Sequence, residues 1–531
     1  MKEKVLLNNK NYFPFFGDRM TFINGLDPLA LQTTSIATFT ELLPGLNNVT
    51  GRIRYYSFHC WVLKMYAEVN RNTNPEEQKK FIRRSEYLIS LISQFYKDIN
   101  RAIPGSNYAY REVTLNGNEY HDLQAATFKA DGKTEGTYWK YPFGAFGQYY
   151  VGSMSEMNLI DHFSEEVQTY VLTESSKELF ISGIDLATAF DKNITPEAKT
   201  TFLSVVKKGK VNNQTLQELT QDFDMTKVPK SEEQELLAKM LIQKDSPLLF
   251  EEEPKSYRKN TIKLLLELIN SSGKIIKDRD FVNDAYYKKG EVDDEINPTL
   301  YGWYYYQFNE YWQIANTSIL NGILANLHDN SGVQWDSVTH LINYTVDEVL
   351  LVLNESEEIN SSDKVEDIIE NLKTDEHTWL STAVKSKGSS KIAFAVLAIF
   401  AVYANNREDL NRLRDFSQRL GLSKDGEPSD YFLTELYIKK EMAFETFLRN
   451  YLFKKIILRH QFVALRKMRT GNISTQKFVL EDFKIRYLGN FDASSTGPRL
   501  YNLLSFLEDL SIVDKNQKVT PFGNRILTEL Q

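Results

Sequence analysis

The sequence has a single cysteine, Cys60, in 531 residues, which excludes an intramolecular disulfide framework and a cysteine-rich zinc site. A reducing cytoplasm is the compartment this implies. The seven histidines are scattered, with no His-x3-His or His-Glu-x2-His pair, so no metal site is expected. A phosphate-binding loop is missing too, because Lys387-Gly388-Ser389-Ser390-Lys391 lacks the Gly-x4-Gly-Lys-Ser/Thr spacing. Gly152-Ser153-Met154-Ser155 is not a nucleophile elbow. No cofactor is therefore expected. Long apolar runs are also scarce. The longest, Ile392 to Tyr403, is too short to span a bilayer and reads as a buried core helix. No N-terminal stretch joins a basic start to an apolar core and a small-residue cleavage site, so no membrane association is expected. Positive charge is in deficit, with 63 Lys and Arg against 71 Asp and Glu. The net charge of -8 argues against a uniformly basic coat but leaves room for a local basic patch.

What is present is a globular composition, 42% hydrophobic and 25% charged, with few glycines or prolines. The length exceeds one ordinary core, so two to four domains are expected. Strand patterns are rare, and the expected fold is mainly α: a multi-domain helical protein with one or two small β-wing units. Composition shifts place an N-terminal helical domain over residues 1-138 and a helix-wing unit over 139-185. A central helical domain over 186-450 and a basic C-terminal domain over 451-531 follow. Thr50 reads as the cap of a helix beginning near Gly51, and Pro75-Glu76-Glu77 opens another. Residues 101-138 read as loops with a short hairpin. Tyr301 to Leu327 predicts a long helix, apolar almost all round and hence buried. Residues 385-391 read as a flexible connector, and 430-468 as one long helix or a broken pair.

Two distant stretches share a local grammar. Thr496-Gly497-Pro498-Arg499 opens an apolar helix ending in Leu510-Ser511-Ile512-Val513. A polar hairpin, Asp514 to Lys518, leads to Val519-Thr520-Pro521-Phe522-Gly523 and another helix. Earlier, Phe143-Gly144-Ala145-Phe146-Gly147 opens a helix ending in Asn158-Leu159-Ile160. A polar wing then leads to Val171-Leu172-Thr173-Glu174. Each stretch resembles a winged helix-turn-helix, a module whose second helix can enter the major groove. The resemblance covers roughly a fifth of the chain. It implies a nucleic-acid or protein ligand.

In the terminal copy, Pro498 suits the first helical position, and Arg499, Tyr501 and Asn502 are the expected exposed early residues. Lys515 and Lys518 on the wing and Arg525 on the next helix are placed for phosphate contact. From Tyr451 onward there are 13 basic and 7 acidic residues, so this tail carries about +6 against about -14 for the remainder. Arg459, Arg466, Lys467 and Arg469 on the preceding helix belong to the same expected footprint. The first copy is acidic, with Glu156, Asp161, Glu165, Glu166, Glu174 and Glu178. A wing so charged is repelled by phosphates and suits protein contact.

Arg54-Tyr55-Tyr56-Ser57-Phe58-His59 matches the Arg-x4-His spacing of HEPN ribonucleases. That resemblance implies an Arg54 and His59 pair acting on a 2′-OH and scissile phosphate. The block from Gly25-Leu26-Asp27-Pro28-Leu29 through Leu42-Leu43-Pro44-Gly45 to Arg52-Ile53-Arg54-Tyr55-Tyr56 loosely resembles uncharacterised bacterial antiphage-defence proteins. The leading expectation is a non-enzymatic subunit that contacts DNA through its C-terminal winged helix and docks a protein partner, of which an ATPase or nuclease subunit is one type. The alternatives are a ribonuclease using Arg54 and His59, and a scaffold that binds proteins only.

Overall fold

The computed structural model describes residues 21-22, 27-70, 73-96, 102-161, 169-174, 180-243, 256-289, 297-421, 427-468 and 473-530. It is 66% helix and 6% strand, and every sheet among the described residues has two or three strands. The chain is thus mainly α with small β elements, as the sparse strand patterns imply.

Its contacts divide it into two units, and neither is continuous in sequence. One joins Met1–Thr38 to Tyr305–Thr496, the other Phe39–Tyr304 to Gly497–Gln531. Four consecutive domains were the expectation, with seams at 138, 185 and 450. The difference has a physical source. Composition shifts register local charge and turn residues, whereas these units are closed by contacts several hundred residues long in sequence. In the first unit Thr21–Phe22 pairs in parallel with Ile473–Ser474.

In the unit containing Phe39–Tyr304, helix α1 (Arg54–Asn70) begins at Arg54 rather than at Gly51. Thr50 does not cap it: Thr50 is buried, with its hydroxyl 3.4 Å from that of Tyr56. Helix α2 (Pro75–Ile92) starts as its sequence dictates, with the Asn74 side chain accepting from the Glu76 N–H and Pro75 in the first turn. Its inner face buries Ile82, Tyr87, Leu88 and Leu91. Residues 101-138 are more ordered than their weak periodicity suggests, holding helices Ser106–Tyr110 and Leu123–Thr127. The strand Tyr120–Asp122 pairs with Lys210–Asn212, so no local hairpin forms there. Next come α3 (Val151–Glu156), β1 (Ile160–Asp161), β2 (Val171–Leu172), α4 (Gly183–Lys192), α5 (Glu232–Ile242) and α6 (Tyr257–Ser272).

Helix α7 (Asn297–Ser331) carries the aromatic run, and Trp303, Tyr304, Tyr305, Tyr306, Phe308, Tyr311 and Trp312 are all buried. From Tyr305 onward it belongs to the other unit. That unit also holds β3 (Trp335–Ser337), α8 (Val338–Glu357), α9 (Gly388–Asn406), α10 (Arg459–Met468), β4 (Phe478–Glu481) and β5 (Lys484–Tyr487). The three strands form one antiparallel sheet in the order β3-β5-β4. The expected connector at 385-391 shrinks to Ser386 and Lys387, since helix Glu376–Lys385 and α9 flank it directly. Helix α9 outruns its apolar core segment and reaches 19 residues, long and apolar enough to cross a membrane by length and composition. Most of Ile392 to Val402 is buried within the unit.

Residues 497-531 return the chain to the unit of α1, through α11 (Leu500–Asp509) and α12 (Pro521–Leu530). Here the repeated grammar acquires a geometry. The second residue after each first helix is left-handed, Asn158 at φ 59° and Ser511 at φ 55°. Leu159 donates its N–H to the Met154 carbonyl at 2.8 Å, and Ile512 to that of Leu507 at 2.8 Å. Thr173 then donates to the Leu159 carbonyl at 3.1 Å, and Thr520 to that of Ile512 at 3.0 Å. Gly183 donates to the Thr173 hydroxyl at 2.9 Å, and Gly523 to that of Thr520 at 3.0 Å. Ile160 pairs with Leu172 across the first wing, and Val513 with Val519 across the second.

Both copies also grip the same loop through corresponding positions. Asn47 donates to the Tyr149 carbonyl and accepts from the Asn502 side chain, at 2.7 and 2.6 Å. Glu156 accepts from the Gly45 N–H, and Asp509 from the Ile53 N–H. Gln243 and Gln234, near the end and start of α5, donate to the Met157 and Leu510 carbonyls. The repeat is therefore one of hydrogen-bond pattern as well as of sequence. Glu165, Glu166 and Glu178 of the first copy lie outside the described residues.

Candidate nucleic-acid interface

Helix α11 begins after Arg499, which is itself left-handed at φ 63°, so Pro498 precedes the helix instead of opening it. This turn aims the Arg499 side chain inward. Its guanidinium lies 4.4 Å from the Phe39 ring centroid and donates to the Leu46 carbonyl and the Thr40 hydroxyl. Burial lowers its pKa. Asn502 is buried in its bond to Asn47. The expectation that both are exposed is thus corrected: they anchor the helix. Tyr501 stands out alone, 75% exposed.

Lys515 and Lys518 are exposed on the wing, as its polarity implies. Arg525 is paired with Glu235. The other expected cations lie in the unit of Tyr305–Thr496. Arg459 donates to the Leu29 and Ala30 carbonyls and Lys467 to that of Asp27, so two cations on α10 hold backbone. Arg466 is exposed, its guanidinium 5.8 Å from the Phe462 ring centroid. Arg469 lies outside the described residues, as do Gly25 and Leu26.

Arg54 and His59 form no open dyad. Arg54 is buried, paired with Glu233 at 3.3 Å and bonded to the Asp224 carbonyl. His59 is buried among Tyr55, Phe58, Phe146 and Tyr150, and burial lowers its pKa to about 3. Its Nε2 lies 3.7 Å from Oε1 of Glu86. That carboxyl does structural work. It accepts from the Phe146 N–H at 2.6 Å, the Ala145 N–H at 3.0 Å and the Tyr138 hydroxyl at 2.5 Å. Glu86 thus satisfies the start of the first repeat's helix, where backbone N–H groups lack partners. Burial raises its pKa to about 7 against these bonds. Arg54, His59 and Glu86 are all closed to solvent.

The exposed side of α11 instead forms one wall of a cleft of about 1160 Å³ within its own unit. Tyr501, Leu504, Ser505 and Glu508 lie on that wall, and the wing contributes Lys515. Segments 226-228 and 275-279 supply the rest, including Lys227, Lys277 and Arg279. Arg52 and Asp509 meet there as an ion pair, with exposures of 11% and 3%.

The charges on this lining are not equivalent. Asp514 accepts from the Asn516 and Lys518 N–H groups of its own turn. The Asp278 carboxyl accepts from the Tyr501 N–H, and burial raises its pKa. Asp509 is raised to about 7 by burial, against the pull of Arg52. Arg279, Lys277 and Lys515 are exposed and make no ion pair among the described residues. Asp509 is engaged by Arg52, and the exposed Glu508 and Asp514 face the exposed Arg279, Lys277 and Lys515, so the lining, with five cations against four acids, carries a small excess of positive charge. Lys227, Lys277 and Arg279 carry no local signal in the sequence, because only tertiary structure brings them to α11. No group of His, Cys, Asp and Glu among the described residues is arranged to hold a metal. No family model matches the chain, and no curated protein or solved structure is similar to it.

Proposed function

We propose that the protein is a cytoplasmic nucleic-acid-binding subunit that also docks a protein partner, with the nucleic acid lying in the α11 cleft. The observation that carries the reading is the set of free cations, Arg279, Lys277 and Lys515, around the exposed Tyr501. A polyanion neutralises such charges and releases counterions. In the double variant Arg279→Gln, Lys515→Gln, the slope of log affinity against log salt is expected to fall by roughly 0.7-0.9 per charge removed. Titration of a labelled oligonucleotide at several salt concentrations reads this directly. An unchanged slope would dismiss the cleft as the site.

The docking half rests on α10 and the turn before it. Leu458, Phe462 and Leu465, four and three residues apart on one helical face, are 38%, 59% and 53% exposed, and the cations Lys454 and Arg466 adjoin them. An apolar stripe rimmed by charge suits a protein surface. Phe462→Asp is expected to release a partner that wild-type protein retains from the native host after nuclease treatment. Recovery of the same partner by both proteins would remove this face from the proposal. Membership of a bacterial antiphage-defence complex is part of the reading, and an ATPase or nuclease in a neighbouring reading frame would support it.

A further inference from the structure

The cleft geometry bears on which form of nucleic acid it takes. A helix that reads a duplex must project its early residues into a major groove about 12 Å wide. Helix α11 cannot do so from its observed position. Of its early residues, Arg499, Leu500, Asn502 and Leu503 are all turned into the unit. The Asp278 carboxyl sits on its first turn, bonded to the Tyr501 N–H. The free face of the helix is concave ground: segment 275-279 stands opposite it with Ile275 59% exposed, and the Lys515 turn lies beside it.

A strand without a partner meets none of these obstacles. Single-stranded sites combine a cationic track with an aromatic side chain on which a base can stack. Tyr501 supplies the aromatic face, while Arg279, Lys277 and Lys515 supply the track. The volume of about 1160 Å³ exceeds that of ordinary small-molecule pockets, about 300-1,000 Å³, and suits a segment of polymer. Resting on the nucleic-acid reading above, we infer that the α11 cleft binds single-stranded nucleic acid, with one base stacked on Tyr501 and the backbone along Arg279 and Lys515.

The test measures anisotropy of the full chain with a labelled twelve-nucleotide single strand and with the duplex of the same sequence. The single strand should bind about tenfold more tightly or better. Tyr501→Ala should weaken it about tenfold, and Tyr501→Phe, which keeps the ring, should restore it. Tyr501 is exposed, so neither change threatens folding. Equal or tighter duplex binding that still depends on Arg279 and Lys515 would overturn the single-strand inference and leave the nucleic-acid reading standing. Tyr501→Ala binding like wild type would overturn it likewise. Failure to bind either probe would overturn both.

Discussion

Replacing Gly183 or Gly523 by alanine is expected to cost about 3 kcal/mol at each position, near the upper range for overpacking a closed site. A Cβ on Gly183 would lie 2.0 Å from the Leu159 carbonyl oxygen, and one on Gly523 would lie 2.1 Å from that of Ile512. These contacts are with backbone, so no side chain can swing aside. Each oxygen also accepts a threonine N–H, that of Thr173 in the first copy and of Thr520 in the second. Moving it would break that bond and loosen the glycine's own bond to the threonine hydroxyl. Two sites far apart in sequence should therefore respond alike in chemical denaturation. Gly152→Ala is the control: it lies within α3 with open space around it. That change should be neutral or stabilise by up to about 1 kcal/mol. If all three variants unfold together, the shared geometry of the two copies is wrong.

Glu86→Ala should have the largest single effect, a loss of about 4 kcal/mol or more. It strands two buried N–H groups and a buried hydroxyl, each worth about 1-3 kcal/mol when left without an acceptor. The same carboxyl also sets a pH dependence. Its folded pKa of about 7 lies above its ordinary value of 4.5. Between those values the folded protein holds a proton that the unfolded chain has released. The contribution of Glu86 is therefore fully present below about pH 4.5 and declines as pH rises toward about 7. Glu86→Gln lacks this titration. The stability of wild type relative to Glu86→Gln should accordingly shrink from pH 5 to pH 7 and then level off. A difference that stays constant or grows over that range would show that burial does not dominate this group.

Local signals in the sequence are legible where local physics decides. Pro75 opens a helix because its ring acts within one turn, and the structure adds Asn74 as the side-chain cap. The aromatic crowding after Tyr301 can only be buried, and it is. Left-handed Asn158 and Ser511 each end a helix before a short wing, so the repeated pattern survives in space. Where structure and sequence part, distance along the chain is the cause. Arg499 follows Gly497-Pro498 and reads as an exposed cation, yet its partner Phe39 stands 460 positions earlier. His59 sits at a catalytic spacing from Arg54, but its aromatic neighbours seal it off. The cations of the cleft come from four separate segments that no window of sequence joins.

The discontinuity of the two units carries a cost in time. On the ribosome, strand Thr21–Phe22 emerges roughly 450 residues before its partner Ile473–Ser474. At about 5-20 residues per second that is a wait of roughly 20-90 seconds. The loop that both copies grip likewise meets Asn502 and Asp509 only after the other unit's residues have been made. For most of its synthesis the nascent chain therefore exposes surfaces destined for burial. Greater chaperone dependence during translation is the expected result of this order of assembly, and soluble yield in chaperone-depleted cells would check it.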